Sequence, residues 1–396
     1  MHLLLIPSWY PASANDIRGG FFREQALALR KHGYEVGVIY PELAGLRYPK
    51  TWPIALRPDE FTVDEGIPTY RSYGLDWLPG ALSASADLWI RKGMRMFDRY
   101  ALENGQPDVL HAHSMFNGGL LAQRIASKYG IPYVITEHNT AFARGLIRKW
   151  QKELGTIAVR SAAARIAVSA EFAAFLDGFY DQPESSWTYV PNIVAEAFAK
   201  QPLQDRELRS GTEFTFCSVA LLTKKKGIDI LLRAFSRSFA DRPDTKLIVG
   251  GDGEERSQLE VLTAELGLGG QVTFLGNLER KQVLDVISRS DAFVLSSHFE
   301  TFGVVLVEAL ALGKPVLATR CGGPESIVMP SDGLLVEKGN IEALSAGLRQ
   351  LRERAFEYDS EAIRSACLER FGENAVVEQL SGVYENTVTR WQQDNG

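Results

Sequence analysis

The stretch DAFVLSSHFETFGVVLVEALALGKPVLAT, Asp291–Thr319, reads as strand, loop, helix and strand. Asp291–Leu295 and Pro315–Thr319 are short apolar runs of strand length, and Val304–Leu312 between them has helical length and composition. Two strands joined by a helical crossover lie parallel, and parallel sheets carry helices on their faces. The unit holds two carboxylates, Glu300 and Glu308. Phe302-Gly303 reads as the loop entering the helix, at the carboxyl edge of the sheet where ligands of such folds bind. A helix N-terminus presents N–H groups suited to a phosphate. Glu308, about a turn in, is placed to accept two vicinal ribose hydroxyls, and Glu300 to do the same for a sugar. The plainer alternative is that both acids are solvated or favoured by the helix dipole.

Working outward, the alternation repeats. Further strands are expected at Glu213–Val219, Lys246–Gly250 and Gln271–Leu275, with helices at Ile228–Phe239 and Glu254–Leu266. Upstream, Tyr189–Glu213 is polar with two prolines and reads as a linker. Before it the pattern runs His2–Ile6, a Pro/Gly/Ser/Asn loop, a helix from Phe21, then strands at Glu35–Tyr40, Asp108–His113, Tyr133–His138 and Arg165–Ser169. A less regular region extends to about Gly80. Ala375–Gln392 is a final helix expected to cross back to the first half. The 396 residues suit two doubly wound α/β domains with a cleft between them.

Composition narrows the class. With 45% hydrophobic and 23% charged residues the chain has material for full cores, and a net charge of −6 argues against a nucleic-acid partner. Cys217, Cys321 and Cys367 are odd in number and widely spaced, so neither a disulfide framework nor a zinc site is expected. MHLLLIPSWYP lacks the basic start and cleavage site of a signal peptide, and no run approaches the roughly 18 apolar residues of a membrane span. A cytoplasmic location is the expectation.

Other residues lie where chemistry is expected. Lys224, Lys225 and Lys226 follow a strand, with Gly227 opening a helix, and a lysine there can neutralise a diphosphate; a solvated loop is the alternative. VGGDGEER has Arg256 where a dinucleotide fingerprint needs its third glycine. Gly19 and Gly20 precede a helix and let backbone amides approach a phosphate, or simply make a turn. His138 ends a strand facing the cleft, where it can bond a sugar hydroxyl or a reacting group. His111 and His113 share a strand face and, without a third ligand, read as core. No His-Glu-x-x-His, Gly-x-Ser-x-Gly, Walker loop or Asp-x-Asp occurs.

The ordered set resembles the retaining, nucleotide-sugar-dependent glycosyltransferases of family 4 (group 1 type), in particular those of bacterial exopolysaccharide and cell-envelope polysaccharide synthesis. FETFGVVLVEALALGKPVLATRCGGPESIV carries the resemblance most specifically, with Glu300 and Glu308 on the Glu-x7-Glu signature. KKGIDILLRAF, LIVGGDGEE, VTFLGN, RIAVSAEF, YVPN and RGGFFREQALAL support it. The resemblance implies two facing Rossmann-like domains, the GT-B architecture: 1–195 binding acceptor, 196–372 binding donor, and a helix over 373–396 packing on the first. It implies that Glu308 holds the ribose and Glu300 the donor sugar. Thr301, Phe302, Gly303 and Val304 would cradle the diphosphate and sugar, and Lys226 would steady the departing diphosphate. Gly19 and Gly20 would cap the phosphates, His138 would lie near the transferred sugar, and Gly276, Asn277 and Leu278 would run along the base. An arginine common before the lysine is missing, Ala220 and Leu221 standing there; Lys224 or Lys225 is the candidate substitute, without bidentate guanidinium geometry.

The implied reaction is metal-independent and cofactor-free: a hexose moves from a nucleotide-diphosphate sugar, with UDP-glucose the first guess, to a hydroxyl of a glycan or lipid-linked saccharide, configuration retained. A sugar-nucleotide epimerase of the same architecture and a catalytically silent sugar-nucleotide-binding partner are the alternatives. Ala141–Arg165 carries Arg144, Arg148, Lys149, Lys152, Arg160 and Arg165 against Glu153, with Leu146, Ile147 and Trp150 interleaved. It reads as an ordinary solvated helix or as a peripheral contact with the inner face of an anionic membrane.

Overall fold

HLLLIP forms β1 (His2–Pro7), buried along its whole length, and the first sheet grows outward from it. In the computed structural model, which describes residues 1–11, 19–45, 52–76, 82–183, 186–204 and 213–395, the chain divides into two compact units. Unit 1 comprises Met1–Val168, Ala173–Val190 and Val377–Gly396, and unit 2 Ser169–Phe172 and Pro191–Val376.

Unit 1 adds β2 (Glu35–Gly45), β3 (Glu60–Asp64), β4 (Ile67–Asp76), β5 (Val109–His113), β6 (Tyr133–Glu137), β7 (Ala164–Ala167) and β8 (Thr188–Tyr189). The order is β3-β4-β2-β1-β5-β6-β7-β8, parallel except where β3 meets β4. That hairpin fills the region expected to be irregular before Gly80. Glu65 and Gly66, at φ 48° and 85°, make its turn, as primed hairpin turns require. Its polarity hides it in the sequence. β3 is largely exposed, whereas Arg71 on β4 is buried with its guanidinium carbon 5.2 Å from the Tyr10 ring. From the C-terminal helix Glu373–Asn395, Tyr384 is fully buried in unit 1, its hydroxyl 2.7 Å from His111 Nδ1.

Unit 2 contains β9 (Phe214–Val219), β10 (Thr245–Gly250), β11 (Val272–Gly276), β12 (Ala292–Leu295), β13 (Val316–Arg320) and β14 (Gly333–Glu337) in the all-parallel order β11-β10-β9-β12-β13-β14. The helix Ile228–Phe239 turns Leu231, Leu232, Phe235 and Phe239 into a core shared with Phe216, Leu247 and Val294. β14 was not expected from the sequence. It is a short, half-exposed edge strand whose apolar run, Leu334 to Val336, is too brief to stand out. The segment read as a linker is ordered over 191–204: Phe198 is fully buried, Val194 N–H donates to Phe371 O at 2.9 Å, and Arg364 holds the carbonyls of Ala199 and Gln201. Its remainder, 205–212, lies outside the described residues. The contact division therefore falls at Val190/Pro191 and inside the last helix at Val376/Val377, instead of after 195 and 372.

Candidate functional site

In unit 2 the strand order reverses between β9 and β12, which places the ligand crevice of such a sheet at the ends of those two strands. The lysine turn follows β9, and Glu300 follows β12. They are joined by backbone. Thr223 opens a tight turn over Lys224–Lys226, closed by Lys226 N–H to Thr223 O at 2.9 Å. Ser296 Oγ donates to Lys226 O at 2.9 Å, and His298 N–H to Lys225 O at 2.7 Å. Gly227 sits at φ 60°, and a Cβ there would lie 2.3 Å from Ser296 O, so only glycine permits this approach.

The result is a charge pair. Lys226 Nζ lies 2.5 Å from Glu300 Oε1, which also accepts from Ser297 Oγ at 2.7 Å, with the two side chains 18% and 10% exposed. Glu300 is therefore no solvated surface acid. Its backbone is fixed as well, since Glu300 N–H donates to Cys321 O at 3.2 Å and Gly323 N–H to Glu300 O at 2.9 Å. A Cβ on Gly322 would stand 2.6 Å from Glu300 O, and one on Gly323 2.0 Å from Phe302 O. Burial, reinforced by the Glu300 charge, pushes the neighbouring Cys321 thiol up to about 12, so it stays protonated.

From Glu300 the chain passes through Thr301 and Phe302, both buried, to Gly303 at φ 116°, which opens the helix Val304–Ala311. That helix starts four residues after Glu300, and the first N–H groups of a helix are a donor set suited to an anion. Glu308, one turn in, is 1% exposed, and Arg280 Nη1 lies 2.5 Å from its Oε1 while the Arg280 guanidinium carbon sits 4.7 Å from the Phe198 ring. Arg280 had no signal in the sequence: it opens the helix Arg280–Arg289, distant from both glutamates in the chain. Asn277 and Leu278 form the turn after β11, with Leu278 buried. At the position of the missing arginine Leu221 is exposed, and Arg256 pairs with Asp252 and Glu260.

In unit 1, Gly19 at φ 71° precedes the helix Gly20–Lys31, whose Phe21 and Phe22 rings lie 5.2 and 5.0 Å from that of His138. The first helix and His138 are thus neighbours. His138 Nε2 is 3.2 Å from His113 Nδ1, and His113 stacks on His111 at 4.2 Å. Burial, then repulsion from His111, lowers His138 to about 3, and burial lowers His111 to about 3, so both rings are neutral at physiological pH. Glu137 accepts the N–H groups of Met115, His138 and Asn139, though its burial still raises its pKa. Among the described residues no three His, Cys, Asp or Glu side chains converge to hold a metal ion.

Residues 200–366 match the profile of the glycosyl transferases group 1, and residues 21–198 that of glycosyltransferase family 4. The putative teichuronic acid biosynthesis glycosyltransferase TuaC of Bacillus subtilis is 30% identical over 368 residues, 88% of each chain. The chain belongs to this glycosyltransferase family. In fold, the glycosyltransferase resembles the sucrose-phosphate synthase of Thermosynechococcus elongatus, with a TM-score of 0.80 at 19% identity, covering 98% of this chain and 99% of that one. It also resembles HepE of Anabaena in complex with UDP, with a TM-score of 0.72 at 19% identity, covering 97% and 100%. The two parallel-sheet units are those of the GT-B fold.

Proposed function

We propose that this glycosyltransferase moves a hexose from UDP-glucose to a hydroxyl of a glycan or lipid-linked saccharide, with retained configuration and without a metal. The observation that carries the reading is the Lys226–Glu300 pair beside the start of the helix Val304–Ala311. As the bond from the anomeric carbon to the diphosphate breaks, negative charge grows on the leaving oxygen. Lys226 and the backbone of Thr301–Val304 stabilise that charge more than the ground state, which is the requirement for catalysis. Glu300, held by Ser297 and Lys226, accepts donor-sugar hydroxyls, and Glu308 accepts the ribose hydroxyls. The acceptor is assigned to unit 1, where the amides at Gly19 and Gly20 are suited to a phosphate. His138, kept neutral by burial, bonds near the transferred sugar without adding charge. UDP as the nucleotide is supported by the likeness to HepE, which was crystallised with UDP.

Peripheral contact with the inner face of an anionic membrane completes the proposal. Leu146, Leu154 and Ile157 are exposed beside Arg144, Arg148, Lys149 and Arg160, also exposed. Among the described residues no helix is long and apolar enough to cross a membrane.

The test is nucleotide release from a donor panel, with UDP affinity measured alongside. Glu308→Ala is expected to weaken UDP binding, whereas Glu300→Ala lowers turnover with UDP-glucose without weakening UDP binding. Equal loss of UDP affinity in both variants would refute this division of roles.

A further inference from the structure

Unit 1 has a concave site of its own. Its strand order reverses between β1 and β5, and at the carboxyl ends of those strands lies a cavity of about 300 Å³. That is the lower end of the range for small-ligand pockets, roughly 300–1,000 Å³. Tyr40, Trp89, Phe116 and Trp150 give it aromatic walls, and Asp76 and Asn117 give it polar groups.

The wall carrying Asn117 is held in an uncommon conformation. Asn117 has φ 63° and ψ −77°, and Ser114 in the same turn has φ 67°. The turn is pinned to the end of β1. Ser8 Oγ lies 2.9 Å from His113 O and 2.5 Å from Phe116 O, and accepts Gly118 N–H at 3.1 Å. A Cβ on Gly118 would stand 2.5 Å from Ile6 O, so the turn approaches the strand as closely as backbone allows. Backbone strain maintained by its surroundings at a cavity wall is a mark of ligand contact.

The charge of the lining identifies the ligand class. Among the described lining residues there is one carboxylate, Asp76, and no Lys, Arg or His. Ser85 Oγ donates to Asp76 Oδ1 at 2.5 Å, which fixes the direction of the carboxylate. A fixed carboxylate accepts sugar hydroxyls through charge-assisted hydrogen bonds and repels a phosphate or a uronate. Aromatic faces suit the C–H side of a pyranose, since they bury apolar area in a site with a polar margin. Resting on the transferase reading above for the word acceptor, we infer that this cavity seats an uncharged sugar ring of the acceptor. Asp76 and Asn117 select its hydroxyls and exclude phosphorylated and uronic rings.

The experiment uses the full chain without donor. Methyl glucoside, galactoside and mannoside are titrated against the wild type beside methyl glucuronide and glucose 6-phosphate, by saturation-transfer NMR and tryptophan fluorescence. At least one neutral glycoside is expected to bind at least tenfold more tightly than either anion. Asp76→Asn should weaken that glycoside about tenfold, the size of one charge-assisted hydrogen bond, and narrow the gap to the anions. Asn117→Gly, which relieves the positive φ while removing the amide, should also weaken it without lowering the melting temperature. Saturable binding by no neutral glycoside, equal or tighter binding of an anion, or an unchanged affinity in Asp76→Asn overturns the inference. UDP binding is read separately: its absence with glycoside binding intact condemns the donor reading alone, and the reverse pattern condemns the pocket assignment alone.

Discussion

Replacing Gly227 by alanine tests whether backbone contact positions Lys226. Two costs are imposed there. A non-glycine residue in the left-handed region costs roughly 1–2 kcal/mol. The added Cβ would also meet Ser296 O at 2.3 Å, and overpacking of this kind costs about 1–3 kcal/mol. Gly267 provides the control within the same unit: it has φ 69°, and an added Cβ would find nothing within 4 Å, so Gly267→Ala incurs only the first cost. A destabilisation of 1 kcal/mol lowers the melting temperature of a domain of this size by about 2–4 °C. Gly267→Ala should therefore fall by a few degrees, and Gly227→Ala, at roughly 3 kcal/mol, by about 6–12 °C. Gly227→Ala should also lose turnover, because the turn can relieve the overlap only by withdrawing Lys226 from Glu300. Differential scanning calorimetry and nucleotide release read the two effects. If Gly227→Ala melts with Gly267→Ala and turns over like the wild type, Ser296 does not constrain the turn and the account of the site is wrong.

Lys226→Ala should lower turnover sharply, on the order of 100-fold, as expected when a stabiliser of developing charge is removed; unchanged turnover would assign the role to another lysine. The buried histidines make unit 1 sensitive to acid. His111 and His138 fall from 6.5 to about 3 in the fold, so their contribution to stability is complete above pH 6.5 and is lost as pH falls toward 3. Glu137, raised by burial in the same unit, acts in the opposite sense. The His138 ring protons should show no NMR titration between pH 8 and 5, and an inflection between pH 6 and 7 would refute its neutral burial. The full chain should sediment with anionic liposomes at low salt and be released at high salt, because exposed-charge attraction is screened over a few ångströms there; no sedimentation removes the membrane contact.

The second half was legible because its strands are short apolar runs, such as Phe214–Val219 and Ala292–Leu295, separated by amphipathic helices. What escaped was polar where it is buried or half-exposed where it is strand. β4 buries Thr69, Arg71 and Ser72, a pattern no hydrophobic period can display, and β14 exposes part of every residue after Gly333. For the site, Glu300, Glu308 and Lys226 stood out by their place between strand ends and helix starts, and the family resemblance sharpened their roles. Arg280 did not, because its meeting with Glu308 depends on helix packing and leaves no sequence spacing behind. Asp76 and Trp150 are likewise separated along the chain, and the cavity they share exists only once β4 and the helix Lys149–Ser161 are in place.

Three glycines of unit 2 fix the backbone around the candidate site. Gly227, Gly322 and Gly323 each bring backbone so close to a carbonyl that an added Cβ would lie 2.0–2.6 Å from it, and all three contacts converge on the segment Ser296–Phe302. A site built in this way draws its precision from main-chain contact, which has few alternative arrangements, and less from long side chains, which have many. Lys226 is the exception that chemistry demands. Its flexible stem starts from a backbone fixed by Ser296 and ends on a carboxylate fixed by Ser297, so the ammonium is oriented before any donor arrives. Electrostatic stabilisation by preorganised groups requires no reorganisation at the moment of bond breaking. In the proposed role the same cationic end is shared between Glu300 and the departing diphosphate, so Glu300→Gln, which removes the competing charge but keeps the hydrogen-bonding shape, should bind UDP more tightly while turning donor over more slowly. Weaker UDP binding in that variant would mean that Glu300 holds the nucleotide and not the sugar.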